Sequence, residues 1–349
     1  MIVSILKESK LDEKRREVEN RVILTPPLLS QLAKLAEIIV ESRAGEKIGY
    51  TDADYQKIGA RIVSHKEALG ADLILGVKET QPEDFSQLTP TTLFMSYQHF
   101  AQSRERTEKA QKTGATFLCL ETMETEKEGR KYFPCLSPMS EAAARILVRH
   151  ADWWALRSAK TISSGLSQTG MKSLRVTILG AGTVGRTAAR EFGHRGYEVH
   201  LIDRANLKKL SSSIKGSFFV VSSMYTAGRS PEKLITRELL KTMQSGGCAY
   251  PVDIDQGGGI EGAIETSILE PFDLPKIEGT EIHCFAPPNL PSLGARTTSE
   301  ALGAAILPYI IELIEKGLDK AGPVLSSGIN IKDGKIIHSG LASVFPSIV

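Results

Sequence analysis

The chain has 349 residues, 41% hydrophobic and 24% charged, an ordinary composition for a globular protein and a length that favours two domains over one. Its 43 basic and 41 acidic residues leave a formal net charge of +2 with no long charged block, which excludes an electrostatic footprint for nucleic acid or an acidic membrane. Cys119, Cys135, Cys248 and Cys284 lie far apart, with no C-x-x-C pair and no zinc-spaced histidines, so they read as reduced, buried small residues, and no metal is expected.

The N-terminus, MIVSILKESK, begins as a strand and lacks the basic n-region, apolar core and cleavage site of a secretory signal, which points to a cytoplasmic protein. Strand-type runs at Ile2 to Leu6, Ile38 to Val40, Ile62 to Val63, Leu73 to Val77, Leu93 to Ser96 and Thr116 to Leu120 alternate with helix-like segments, the pattern of a parallel α/β domain. Thr25 before Pro26 and Pro27 predicts a helix start leading into Leu28, Leu29, Leu32 and Leu35, and Thr51 with Asp52 predicts a short helix containing Tyr55. Helical periodicity runs from Ser140 to Ala155, and Ser137 and Pro138 mark a change of domain. The serine-, glycine- and threonine-rich segment from Lys160 to Leu174 forms the approach to the next domain.

The stretch Leu174 to Asp203 carries the most chemical information. A strand-type run, Val176 to Leu179, enters Gly180, Gly182, Thr183, Val184 and Gly185, and a helical segment and a second strand follow, ending on Asp203. Gly180 permits the tight turn, Gly182 lets the backbone approach a pyrophosphate, and Gly185 lets helix pack on strand, so a diphosphate can sit at the helix N-terminus. The competing reading is a glycine-punctuated βαβ unit that binds nothing. Asp203 suits the ribose hydroxyls of NAD and repels a 2′-phosphate, whereas Arg204 offers a partner for the phosphate of NADP; NAD is expected, with NADP the less favoured.

Further βα signals follow at Ser217 to Ser222, Lys233 to Met243 and Ala249 to Ile254. The longest apolar stretch, Ala301 to Ile311, is bounded by Glu300 and Glu312 and contains Pro308; it is too short to span a bilayer and suits a buried helix, from about Ser299 to Lys316, returning to the first domain. Asp333 and Gly334 predict a hairpin within Gly328 to His338.

Several polar residues fit hydride chemistry on a small acid, which needs a cation for the carboxylate and a proton shuttle. Arg21 can hold a carboxylate in two-pronged fashion, or form a surface salt bridge with Glu19 or Glu17. Lys78 and His99 each follow a strand-type run, where ligands gather in open parallel sheets; Lys78 can bind the carboxylate or polarise a carbonyl, and His99 can shuttle protons. Asp253 and Asp255 precede three consecutive glycines and can orient ammonia or water, contact a ribose, or cap a turn. Asn289, in PPNLPS, offers an amide to the nicotinamide side or simply forms a turn.

Taken in order, ENRVILTP, AGEKIGYTDADYQKIGARIV, VKETQPED, SYQHFA, LSPMSEAAARILV, ILGAGTVG, PVDIDQGGGIEG and NLPSLGARTTSEAL resemble the alanine dehydrogenase and transhydrogenase α-subunit family, with saccharopine dehydrogenases as relatives of the same architecture. The resemblance implies two Rossmann-like domains: a split substrate domain (1–136 and 299–349) and a central doubly wound NAD-binding domain (137–298), with the active site in the cleft. It implies that Arg21 and Lys78 bind the substrate carboxylate, that Lys78, His99 and Asp255 are catalytic, and that Ser140, the glycine loop, Asp203, Arg204 and Asn289 contact the cofactor. The implied reaction is oxidative deamination of a small L-amino acid, alanine to pyruvate leading. A saccharopine-type dehydrogenase forming a secondary amine, and a non-catalytic NAD(H)-binding regulator, remain as alternatives. The expected partners are an amino acid and its 2-oxo acid, with homo-oligomerisation open, since hexamers occur in the alanine branch and monomers in the saccharopine branch. The chain also departs from the alanine enzymes: Thr80 stands where they carry proline, Gln98 where they carry leucine, Arg186 and Thr187 where an asparagine follows the glycine motif, and the glycine-rich segment before the nucleotide fold is shorter.

Overall fold

A computed structural model of the chain describes residues 1–12, 14–158, 173–224 and 231–348. The expected approach segment from Lys160 therefore lies, up to residue 172, outside the described residues. The chain divides into two compact units, Met1–Met139 with Gly294–Val349, and Ser140–Thr226 with Ser230–Leu293.

In the first unit, β1 (Ile2–Ile5), β2 (Glu37–Glu41), β3 (Arg61–Val63), β4 (Leu73–Leu75), β5 (Leu93–Ser96) and β6 (Thr116–Cys119) are parallel neighbours in the order β3-β2-β1-β4-β5-β6. The apolar runs exist because both faces are covered: Val3, Ile5, Leu73, Leu75, Met95 and Leu118 enter one core, while Ile39, Ile74, Phe94, Phe117 and Cys119 enter the other. The direction in which strands are added reverses between β1 and β4, which makes their carboxyl ends the switch point of the sheet. A short antiparallel hairpin, β7 (Thr125–Lys127) and β8 (Arg130–Tyr132), is absent from the sequence expectation; β7 is polar and fully exposed, so it has no apolar alternation to read.

In the second unit, β9 (Arg175–Leu179), β10 (Glu198–Ile202), β11 (Phe219–Ser222), β12 (Cys248–Pro251) and β13 (His283–Cys284) form a parallel sheet in the order β10-β9-β11-β12-β13. Its switch point lies between β9 and β11. Helix Leu136–Ser158 begins four residues ahead of the expected Ser140, because Pro138 in a first turn forfeits no helical hydrogen bond. The helix expected across Lys233 to Met243 shrinks to Arg237–Leu240, capped by the Thr236 side chain.

The chain then returns to the first unit through helix Ala295–Lys316 and the antiparallel pair β14 (Ile329–Lys332) and β15 (Lys335–Ile336), whose turn places Asp333 at φ 51° and Gly334 at φ 72°. β14 pairs antiparallel with β6, so the six parallel strands become part of a mixed eight-stranded sheet. By length and composition the helical stretch Leu290–Lys316 is long enough to cross a membrane, which the shorter Ala301 to Ile311 run does not suggest. Its Leu302, Ile306, Ile310 and Leu313 are nevertheless fully buried in the first unit's core. The four cysteines are buried free thiols.

Gly303 sets how closely that helix approaches the segment after Arg21. A Cβ there would stand 2.7 Å from Leu28 Cδ1 and 3.1 Å from the Ile23 carbonyl oxygen. Replacing Gly303 with valine is expected to destabilise the chain by about 1–3 kcal/mol through overpacking, measured by denaturant unfolding; an unchanged midpoint would show that the helix has room to shift.

Candidate functional site

The carboxyl ends of four neighbouring strands of the first unit carry a group of buried polar residues. Glu8 follows β1, Lys78 follows β4, His99 follows β5 and Glu121 follows β6, and all four side chains are buried. Neither Glu8 nor Glu121 is among the residues expected from sequence, although each stands two or three positions past a strand, the same signal that singles out Lys78 and His99.

The burial of these groups follows from what they bond. The strand exits leave the sheet ladder, and their N–H groups need acceptors. Glu8 provides one to Val77 N–H with Oε1 and one to Lys78 N–H with Oε2, the latter at 3.1 Å. Glu121 accepts from the N–H of His99 at 2.7 Å and from that of Gln98 at 3.2 Å. His99 has a left-handed backbone, φ 47° and ψ 41°, a conformation that costs a non-glycine residue about 1–2 kcal/mol. The Glu121 bond holds it there, and the Tyr97 ring stacks on the imidazole with centroids 6.2 Å apart, its hydroxyl donating to Cys135 O at 2.7 Å.

Arg21 is 3% exposed, and its partner is Glu19, which is fully buried. The pair is two-pronged: Nε donates to Glu19 Oε1 at 2.8 Å and Nη2 to Oε2 at 2.7 Å. The salt bridge weighed from sequence thus exists, but in the interior rather than on the surface. Glu19 occupies the Nε side of the guanidinium; Nη1 points to Met139 Sδ at 3.3 Å.

These groups form one electrostatic cluster. Burial opposes the charge on Glu19, yet Arg21 and Lys78 together hold its carboxyl below the usual range. Burial likewise opposes Glu79, but Lys78, Lys10, His99 and Arg106 keep it far below that range. Arg21, Lys78 and His99 are therefore tied through the carboxylates between them. Glu8 moves the other way, pushed up to about 7 by burial and by the Glu19 charge, and burial also raises Glu121. Carboxylates driven apart in this way mark sites where acid and base roles are separated.

The second unit supplies a separate set. Gly180 has φ 106°, and a Cβ on it would lie 2.7 Å from the Ser223 carbonyl oxygen; a Cβ on Gly185 would lie 1.8 Å from the Gly180 carbonyl oxygen. Gly182, the residue preceding the 12-residue helix Thr183–His194, has open space where its Cβ would stand. Two of the three glycines are thus required by protein packing, whereas the third leaves bare backbone open at a helix N-terminus that begins with Thr183 and Val184, the arrangement an anionic diphosphate needs. Asp203, at the exposed end of β10, accepts from the N–H groups of Ala205 and Asn206, while Asn206 Oδ1 accepts from Asp203 N–H at 2.7 Å. This reciprocal cap fixes the acid at the strand end, with Arg204 exposed beside it.

Asp253 is a clamp: its carboxylate accepts from Ser222 Oγ at 2.6 Å, Met224 N–H at 3.2 Å and Gly259 N–H at 3.1 Å, and burial pushes its pKa up. Asp255 lies half-buried in the following 3-10 turn, Ile254–Gln256. Ser140 is half-buried near the start of helix Leu136–Ser158, and Asn289 is 1% exposed, with its carbonyl oxygen closing a turn onto Ser292 N–H.

A family model described as "Alanine dehydrogenase/PNT, N-terminal domain" matches residues 8–143, and the corresponding C-terminal domain model matches residues 194–339. The chain is 32% identical to the alanine dehydrogenase of Halomonas elongata, with 95% of each chain covered, and 31% identical to alanine dehydrogenase 1 of Staphylococcus aureus, with 98% of this chain and 96% of the relative covered. Among solved structures, an L-alanine dehydrogenase superimposes with a TM-score of 0.84 at 26% identity over 100% of both chains. A transhydrogenase from Sinorhizobium meliloti gives 0.75 at 20% identity over 97% of this chain and 99% of its own, a likeness of fold.

The raised Glu8 carboxyl has a consequence for stability. With a folded pKa near 7 against 4.5 for the free group, it contributes stability that is fully present below pH 4.5 and is lost as pH rises through about 7. Glu8→Gln is expected to abolish a loss on the order of 2–4 kcal/mol between pH 5 and pH 8, read from urea unfolding at each pH; parallel pH profiles for the two proteins would contradict the assignment.

Proposed function

This chain belongs to the alanine dehydrogenase/PNT family, and on that premise we propose that it is an NAD-dependent oxidoreductase acting on the CH–NH2 group of a small L-amino acid, with L-alanine, pyruvate and ammonia as the leading set. The observation that carries this reading is the likeness to alanine dehydrogenases over 95% or more of the chain, which includes both units.

Gly180, Gly182, Thr183, Val184 and Gly185 would hold the cofactor diphosphate, and Asp203 the ribose hydroxyls. The carboxylate of Asp203 favours NAD, and Arg204 is the residue on which a 2′-phosphate would have to rely. Ser140 and Asn289 are assigned to the cofactor, and Asp255 to the catalytic set beside the nicotinamide, from the motifs that carry them. When bound, the nicotinamide accepts the hydride of the amino acid Cα, or returns it in the reverse direction.

The substrate carboxylate is assigned to the outer edge of Arg21 and to Lys78. Glu19 on the other edge of the guanidinium keeps the fork oriented, which lowers the reorganisation needed when substrate arrives. His99 takes a proton from water as the hydroxyl adds to the iminium carbon and gives it to the amine; as the C–N bond breaks and ammonia leaves, the hydroxyl proton passes back to His99, so that the 2-oxo acid results. In amination, Lys78 polarises the keto oxygen and His99 protonates it as it leaves as water.

A second reading is a dehydrogenase that condenses an amino acid with a 2-oxo acid and reduces the secondary imine. It is favoured by the loop NLPS, Asn289 to Ser292, which resembles the saccharopine branch more than the alanine branch.

Pairing pyruvate, glyoxylate or 2-oxoglutarate with ammonia, lysine or ornithine, and following NADH and NADPH absorbance, separates these readings. Oxidation of NADH with pyruvate and ammonia is the expected result; turnover only with lysine or ornithine would favour the second reading, and binding without turnover would indicate a regulator. His99→Ala is expected to lower turnover by about 10²–10⁴ while leaving NADH affinity nearly unchanged, measured by steady-state kinetics and NADH fluorescence.

A further inference from the structure

The strand exits that carry Lys78 and His99 are joined by one side chain. Gln98 is fully buried, and its amide has two N–H donors and one acceptor oxygen to satisfy. Nε2 donates to Thr80 Oγ1 at 2.7 Å and to Ser96 Oγ at 2.8 Å, while Oε1 accepts from Thr80 N–H at 3.2 Å. The two residues therefore bond reciprocally, amide to backbone and hydroxyl. Turning the amide over would set its NH2 against the Thr80 N–H, donor against donor, so the arrangement has one orientation. The Gln98 backbone is held as well, its N–H by Glu121 and its carbonyl by Arg106 Nη1 at 3.3 Å.

Thr80 is two residues past Lys78, whose own N–H is held by Glu8 on the opposite side of the β4 exit. The segment Lys78, Glu79, Thr80 is thereby fastened at both ends, to the β1 exit by Glu8 and to the β5 exit by Gln98. His99 directly follows Gln98. We infer that Gln98 and Thr80 form a staple that fixes the separation of Lys78 and His99, making both positioning residues for the proposed reaction. Neither touches substrate; they act through the backbone of the residues that do. The inference rests on the proposed function for what the positioned residues accomplish, and on the hydrogen bonds alone for the staple itself.

The staple also links two departures noted in the sequence. A proline at position 80 has no N–H and needs no acceptor, so an apolar residue can stand at position 98; a threonine there has an N–H that must be met once it is buried, and Gln98 meets it.

Three variants test this: Gln98→Leu removes the staple, Thr80→Val removes the hydroxyl at constant shape, and Thr80→Ser keeps both bonding groups. The staple predicts that Thr80 amide exchange, followed by NMR, accelerates at least tenfold in Gln98→Leu, and that the His99 imidazole resonances shift with it. It further predicts that kcat falls about tenfold to a hundredfold in Gln98→Leu, less in Thr80→Val and little in Thr80→Ser, with NADH affinity unchanged. A merely structural role would lower the melting temperature and leave kcat of the folded fraction intact. Wild-type exchange of the Thr80 amide in Gln98→Leu, or unshifted His99 resonances, overturns the inference whether or not the chain turns over any substrate. If the wild-type protein oxidises NADH with none of the panel, the functional reading fails while the exchange and imidazole measurements still decide the staple. If it is active and kcat of Gln98→Leu is unchanged, the positioning role is refuted although the function stands.

Discussion

The first unit depends on buried side chains that reach from one strand exit to the backbone of the next. Glu8, after β1, accepts from Val77 and Lys78 after β4; Gln98, after β5, accepts from Thr80; Glu121, after β6, accepts from Gln98 and His99. A parallel sheet satisfies its own amides only while the strands run together. Where they part, the N–H groups must find acceptors or water, and a buried exit cannot use water. The acceptors here are carboxylates and one amide, and the carboxylates bear the desolvation cost as raised pKa values.

That arrangement accounts for the geometry of the candidate site. Lys78 and His99 lie on segments pinned by neighbours rather than on loose loops, and the left-handed backbone of His99 persists because Glu121 holds its N–H. Arg21 gains its orientation in the same manner, from a carboxylate two residues away. The second unit uses the same device once, where Asp253 after β12 accepts from Met224 N–H after β11, and relies on glycines at its switch point. Gly180 and Gly185 let backbone pack on backbone, and Gly182 leaves open space at a helix N-terminus, which suits an anion.

Much of this was legible in the sequence because it rests on local pattern. The six parallel strands of the first unit follow from apolar runs, and Lys78 and His99 stand out by their place after such runs. The glycine spacing and Asp203 mark the loop and strand end proposed to hold the cofactor. What escapes the sequence is non-local. Glu8 bonds residues about 70 positions away and Glu121 about 22, so their place after a strand marks them but the backbone groups they hold cannot be read from spacing. Whether Arg21 meets Glu19 inside or outside is decided by burial, which spacing does not reveal. The start of the helix at Leu136 and the hairpin of β7 and β8 escape because a first-turn proline and an exposed polar strand leave no periodic signal.

The proposed function requires the buried strand-end cluster of the first unit to receive the carboxylate of a 2-oxo acid. A crystal structure of the chain with NADH and pyruvate tests it directly. The pyruvate carboxylate is expected within about 3 Å of both the Arg21 guanidinium and Lys78 Nζ, with His99 in hydrogen-bond reach of the keto oxygen. Pyruvate bound elsewhere, with Arg21 engaged by Glu19 alone, would contradict it.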